Sequence, residues 1–226
     1  MLNQKIISPT RYAFFDVDDT VISMKSMFSF MDLYFEYYPN KVLQQQFNDK
    51  MNALIQNDTK WEIANTIYYS YFKNFSISNV NTACQKWFSK YASDKSRFYH
   101  KNVLKRLRQH QSEGAVCVFV SGSFRELLQP IANELSVKHI LSINLERKDF
   151  MYTGNIIPPQ TIGVGKARAL TEFIEDKQAD ANQCFAYGDD ISDIPMLEIV
   201  GNPIAVSGGR RLEAYANSLG WQVINP

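Results

Sequence analysis

The chain has 226 residues, 45% of them hydrophobic and 21% charged, with 24 Lys and Arg against 23 Asp and Glu and a formal net charge of +1. This length suits one large domain or a core with a smaller inserted unit, and the composition excludes an intrinsically disordered chain. The balanced charge excludes a global field that would draw in nucleic acid or an anionic membrane, so any anion must be captured locally.

In chain order, the amino-terminal stretch MLNQKIISPTR carries no apolar signal-peptide core, and runs such as AVCVFV are far too short to span a bilayer. A cytoplasmic protein with no membrane contact is the expectation. RYAFFDV reads as a first strand, and it runs straight into FFDVDDT, Phe14 to Thr20, which holds the three carboxylates Asp16, Asp18 and Asp19. Mutual repulsion disfavours such a cluster unless a cation compensates it. Residues two apart in an extended segment face the same way, so Asp16 and Asp18 address one pocket, Val17 packs behind them and Asp19 turns away.

From Ile22 to about Gly114 the pattern is helical. Met27, Phe30, Met31, Tyr34, Phe35 and Tyr38 recur at three-and-four spacing and stop at Pro39. KVLQQQFNDKMNALI and TKWEIANTIYYSYF follow, the latter opened by Thr59 and Glu62 at capping-box spacing. Val80, Ala83, Cys84, Trp87, Phe88 and Tyr91 repeat the stripe. A bundle of about four helices therefore interrupts an α/β domain just after its first strand. Its aromatic stripe reads as core, which leaves the residues at its mouth as the candidates for substrate contact.

Beyond about residue 110, short β-rich runs (AVCVFVS, HILSI, CFAYG, PIAVS and a closing GWQVI) alternate with amphipathic stretches such as RELLQPIANEL and KARALTEFIED. ERKDFMYTGNI reads as an added hairpin turning at Tyr-Thr-Gly. The fold class expected is α/β: a Rossmann-like three-layer core with a mainly parallel sheet, formed by residues 1–22 and 110–226, and an inserted helical cap at 23–109. Cys84, Cys117 and Cys184 read as reduced core residues, and His100, His110 and His139 as surface residues without metal-ligand spacing.

Ligands of an open parallel sheet bind beyond the carboxyl ends of its strands. Reading those ends collects Asp16, Asp18, Asp19 and Thr20, then Ser121, Gly122 and Ser123, then Asp189, Asp190 and Asp193, with Lys166 at the start of a helix. An all-oxygen set of this kind suits magnesium, and a lysine, a hydroxyl and helix-start N–H groups beside it favour a phosphate dianion. VSGS also fits an ordinary helix cap, with Ser123 and Glu126 at capping-box spacing. GVGKA is no P-loop, because Gln160 and Ala167 stand where that motif needs a glycine and a hydroxyl.

DVDDT, VSGS, the Lys166 segment and GDDISD resemble, in order, the signatures of the haloacid dehalogenase-like hydrolases. The helical insert is similar to the cap of their phosphoserine-phosphatase-like subfamily, type IB. The resemblance runs from Arg11 to GWQVI. It implies that Asp16 is a nucleophile forming an aspartyl-phosphate and that Asp18 is the general acid and base. It further implies that the Asp16 and Asp189 carboxylates and the Asp18 carbonyl hold Mg2+, with Asp193 and Asp190 orienting them. Ser121, Gly122 and Lys166 would hold the phosphoryl oxygens. Phosphoserine phosphatases usually have glutamate where this chain has Lys25, so Lys25 is expected to meet a carboxylate or second anionic group of the substrate. GDDISD likewise departs from the Gly-Ala-Asn stretch common in those enzymes. The implied function is a magnesium-dependent phosphatase acting on a small phosphorylated metabolite, as a monomer or homodimer and without nucleic acid. A phosphotransferase or phosphomutase, or a catalytically inactive binding protein, are the alternatives.

Overall fold

The computed structural model describes residues 10–209 and 211–226. Residues 1–9, which hold most of the stretch searched for a signal peptide, lie outside the described residues. The first strand, β1 (Tyr12–Phe15), is followed by six helices: α1 (Ser26–Tyr37), α2 (Lys41–Gln56), α3 (Trp61–Ser70), α4 (Ile77–Tyr91), α5 (Lys95–Phe98) and α6 (Lys101–Ser112). The chain then runs β2 (Val116–Phe124), α7 (Arg125–Glu134), β3 (His139–Lys148), β4 (Met151–Ile157), α8 (Val164–Asp176) and β5 (Phe185–Gly188). It closes with α9 (Ile194–Leu197), β6 (Asn202–Val206), α10 (Leu212–Ser218) and β7 (Gln222–Ile224).

These strands form one seven-stranded sheet in the order β4-β3-β2-β1-β5-β6-β7, parallel except for the β3–β4 pair. The strands alternate between two apolar cores. Ala13, Phe15, Cys117, Phe119 and Tyr187 face one, while Tyr12, Phe14, Val118, Val120 and Ala186 face the other. A strand buried on both faces cannot alternate polar with apolar, which is why β1 and β2 read as unbroken apolar runs. The chain leaves β1 in both directions, to β2 on one side and later to β5 on the other. That switch point opens a crevice at the carboxyl ends of β1, β2 and β5.

The α1 stripe is core, as its spacing predicts: Phe30, Met31, Tyr34 and Phe35 are buried. Phe72 is fully buried and meets Phe30 and Phe124 at ring-centroid distances of 6.0 and 5.3 Å, so the helical insert and the sheet share one apolar cluster. Residue 109 lies inside α6, whose Val103, Leu107 and His110 are buried and whose Leu107 carbonyl accepts a bond from Cys117 Sγ on β2.

Three local expectations differ from the structure. Helix α3 begins after Lys60 without any side-chain cap, so Thr59 does not serve as its capping residue. The β3–β4 hairpin turns at Asp149 and Phe150, both at positive φ (50° and 65°), while Tyr152, Thr153 and Gly154 lie inside β4. A two-residue turn of that hand matches strand twist, and the sequence Asp-Phe lacks the glycine that normally announces it. His110 is buried rather than superficial, its Nε2 2.8 Å from the Tyr187 hydroxyl, and burial lowers its pKa.

Backbone bonds stitch the insert to the hairpin: Asn74 N–H donates to the Tyr152 carbonyl (2.9 Å), Tyr152 N–H to Phe75 (2.9 Å) and Ile77 N–H to Phe150 (3.1 Å). At the two chain crossings, Ser23 N–H donates to Phe98 and His100 N–H to Val21. Among the described residues no helix is long and apolar enough to cross a membrane.

Candidate active site

Asp16 follows the last residue of β1, anchored by its N–H to the Tyr187 carbonyl of β5 at 2.9 Å. Val17 is fully buried behind it, and Asp16 and Asp18 both line one cavity, as the two-residue spacing requires. Asp19 adopts a left-handed conformation (φ 61°) as the turn residue expected, yet it is not idle. Its carboxylate pairs with Lys25 Nζ at 2.9 Å.

On the β2 side, the register with β3 shifts between Ser121 and Phe124. An irregularity of this kind at a strand end re-aims side chains, and here it brings Ser121 and Gly122 to the same cavity. Ser123 does not cap α7; its hydroxyl donates instead to Asp18 Oδ2 at 2.9 Å and lies 2.8 Å from the Ser26 hydroxyl on α1. Glu126, the other half of the supposed capping box, pairs with Arg147.

On the β5 side, Asp189 accepts a bond from the buried Thr20 hydroxyl at 2.8 Å. Asp193 Oδ2 receives the N–H groups of Asp189 and Asp190, both at 3.2 Å. Gly188 permits this close tuck, since a Cβ there would lie 2.6 Å from Asp193 Cβ. Asp190 is buried beside them and caps the following turn through Ser192 N–H at 2.9 Å.

Lys166, in the first turn of α8, is 4% exposed and reaches into the middle of this set. Its Nζ donates to Asp16 Oδ1 at 2.5 Å and to Asp193 Oδ1 at 2.6 Å. Burial alone would discharge it, but Asp16 and then Asp193 hold its pKa above the ordinary lysine value. One backbone position sets its approach: a Cβ on Gly165 would fall 1.6 Å from the Gln160 carbonyl oxygen. Gly165→Ala is therefore expected to destabilise the protein by about 1–3 kcal/mol or more through overpacking, measured by denaturant unfolding.

Oxygens of Asp16, Asp189 and Asp193 lie within 4.8 Å of one another, and all three residues are buried. Burial, reinforced by Asp16, pushes the Asp189 carboxyl well above its usual range against the pull of Lys25 and Thr20. Burial also raises Asp193, although Lys166 opposes it. Asp18 is raised to about 6, chiefly by burial, with Lys25 and the Ser26 and Ser123 hydroxyls pulling it back. Its Oδ1 is shut off from solvent and has no hydrogen-bond partner. Positive charge is thus short at this end, and the donors present are hard oxygens, which suits magnesium.

Lys25 lines the same cavity, and its pKa is raised: burial opposes the shift, but Asp189, Asp19, Asp16 and Asp18 together outweigh it. The structure brings together every site residue read from the sequence: Asp16, Asp18, Lys25, Ser121, Gly122, Lys166, Asp189, Asp190 and Asp193 all line this cavity. Ser26, expected only as a neighbour of Lys25, and Ser123, collected at the strand end and equally readable as a helix cap, carry no sequence signal of their bond to each other or of the Ser123 bond to Asp18. The sequence reading missed Asn65, on α3, whose amide donates to the Gly122 carbonyl at 2.9 Å alongside the Tyr69 hydroxyl at 3.1 Å. A buried Asn in a helical stripe carries no sequence signal of such a long-range bond.

The chain is similar to several known proteins. A protein of Mycobacterium tuberculosis named "Probable phosphatase" is 35% identical over 116 residues, covering 51% of this chain and 40% of that one. Phosphoserine phosphatase SerB1 of the same organism is 24% identical over 227 residues, covering 97% of this chain and 72% of its own length. The chain spans less than half the length of the curated relatives it matches at 35% identity. Among solved structures, a protein of unknown function from Bordetella pertussis Tohama I shares the fold with a TM-score of 0.82 at 23% identity, covering 95% of this chain and 98% of that one. A substrate-bound phosphoserine phosphatase complex shares it at 0.68 and 18% identity, covering 95% and 92%. The family profile described as haloacid dehalogenase-like hydrolase matches residues 13–198, and the chain belongs to that family.

Proposed function

We propose that the protein is a magnesium-dependent phosphatase that hydrolyses a small phosphomonoester through an aspartyl-phosphate on Asp16. The observation that carries this reading is the buried trio Asp16, Asp189 and Asp193, within 4.8 Å, with Lys166 bonded to two of its members. The names of the relatives point the same way, two of them phosphatases. Asp16 and Asp189, with the Asp18 carbonyl, would hold the metal; Asp193, both of whose oxygens are already bonded, orients Lys166 and the Asp189 loop. When bound, Mg2+ supplies positive charge against the phosphoryl oxygens.

The residues then divide the work. Lys166 neutralises Asp16 so that a carboxylate can approach a dianion, and Lys25, held by Asp19, adds a second cation facing the entering phosphate. Ser121 and the Gly122 backbone hold the phosphoryl oxygens. Asp16 attacks phosphorus, the ester bond breaks, and the leaving alkoxide takes its proton from Asp18. Water then attacks the phosphorus of the acyl-phosphate and gives its proton to Asp18, the bond from phosphorus to the Asp16 oxygen breaks, and phosphate leaves with Asp16 free and the acid regenerated. A carboxyl raised to about 6 suits that double duty near neutral pH. The insert, closing over the cavity with Met27, Phe28 and Trp61, limits the substrate to small molecules and excludes bulk water.

The reading is tested by phosphate release from a panel of small phosphomonoesters. Release is expected with added Mg2+, is expected to fall to the blank with chelator, and is expected to return when Mg2+ is restored. Activity indifferent to chelator, or absent across the panel with Mg2+ present, overturns it.

A further inference from the structure

The cavity has two chemically different ends. Beyond the carboxylates and Lys166, its wall is built by Met27 and Phe28 at the start of α1, Trp61 at the start of α3, and Ile162 just before α8. Phe28 and Trp61 form an aromatic corner, their ring centroids 6.5 Å apart and their planes inclined at 52°. Ile162 packs directly on Gly122: a Cβ added there would lie 2.6 Å from Ile162 Cγ1. The apolar wall therefore begins where the phosphate loop ends.

The polar group set into this wall is already committed. Asn65 gives its amide N–H to the Gly122 carbonyl and lies 3.6 Å from Met27 Sδ, while its Oδ1 accepts from Gln160 Nε2 at 3.0 Å. The acidic residues lining the cavity are Asp16, Asp18, Asp189, Asp190 and Asp193, all at the phosphate end. Glu62 turns its carboxylate over Gly163, at the amino end of α8 and outside the lining residues, where the helix dipole favours it. Lys25, which also lines the cavity, is paired with Asp19 and lies in the field of Asp189, Asp16 and Asp18 at the phosphate end. A substrate ammonium placed here would lose its hydration with no carboxylate to replace it, at heavy cost. An apolar or aromatic body would lose only apolar hydration and gain ring contacts.

Building on the phosphatase reading, we infer that the substrate is a phosphomonoester whose leaving group is an uncharged apolar or aromatic body without an ammonium, packed on Met27, Phe28, Trp61 and Ile162. Trp61 and Phe28 are then specificity residues.

The experiment compares kcat/KM for benzyl phosphate, O-phosphoserine and acetyl phosphate with Mg2+ present, in the wild type and in Trp61→Ala, Trp61→Phe and Glu62→Gln. Acetyl phosphate reports the phosphoryl-transfer chemistry with almost no leaving-group body. If none of the three is hydrolysed, the phosphatase reading fails and the inference falls with it. If any is hydrolysed, benzyl phosphate is expected to exceed phosphoserine by about tenfold or more, the scale of discrimination in an apolar pocket. Trp61→Ala is expected to lower the benzyl-to-acetyl ratio about tenfold, and Trp61→Phe to keep it within about threefold. Phosphoserine equal to or better than benzyl phosphate overturns the inference while leaving the reaction intact. So does an unchanged ratio in Trp61→Ala, or a loss of phosphoserine turnover alone in Glu62→Gln. Should Trp61→Ala fail to fold, Ile162→Ala takes its place with the same expected fall in ratio.

Discussion

Asp16→Asn is expected to reduce phosphate release by at least about 10⁴-fold, the scale seen when a nucleophile that acts as part of a unit is removed. Asn keeps the shape of the side chain and its place after β1, so the variant should fold. It relieves the crowding of negative charge with Asp189 and Asp193 but takes one of two carboxylate partners from buried Lys166, which keeps Asp193, so the two effects on stability without metal oppose each other. Mass spectrometry of acid-quenched turnover mixtures should find a phosphoryl adduct on the Asp16 peptide of the wild type and none in the variant. Sustained turnover by the variant would mean that another group attacks phosphorus, and the division of roles among these carboxylates would have to be redrawn.

Lys166→Met is expected to cost about 3–5 kcal/mol of stability as well as activity, because it leaves buried carboxylates without their cation. The loss should depend on pH in a defined direction. Asp193 is already raised by burial despite Lys166, and removing that ammonium raises Asp193 further above its unfolded value. A carboxylate whose folded pKa lies above its unfolded pKa favours the native state as it takes up a proton, so stability is regained as pH falls through the folded pKa and lost as pH rises. Chemical denaturation in the presence of chelator should therefore show the deficit shrinking as pH falls from neutral toward the acid range. A deficit independent of pH would mean that Lys166 stabilises by packing its aliphatic stem rather than by charge.

Much of this site is legible in the sequence because of how parallel strands are buried. A strand covered on both faces must be apolar until it ends, so the first polar residues after each apolar run mark its carboxyl end, as Asp16, Ser121 and Asp189 do. What the pattern does not carry is partner choice. Ser123 and Glu126 satisfy the spacing of a helix cap, yet Ser123 turns to Asp18 and Glu126 to Arg147. Thr59 and Glu62 satisfy the same spacing, yet the helix starts after Lys60, with Glu62 inside its first turn and Thr59 capping nothing. Local rules count residues along one element, and these bonds join residues far apart in the chain. His110 shows the complementary failure: a polar type reads as surface until a buried hydroxyl, Tyr187, satisfies its ring nitrogen. Lys25 shows a third. Its position at the mouth was legible, and its ion pair with the turn residue Asp19 was not.

The backbone bonds that join residues 74–77 to the hairpin, together with those and the Ile22–Tyr99 bridge at the two chain crossings, leave the helical layer moored in two separate places. A roof fastened in two places does not lift as a plate without giving up several amide bonds at once. On the proposed function, substrate and product would instead pass beside Phe28 and Trp61, which line the cavity, and rotamer changes of these two rings would set the width of the passage.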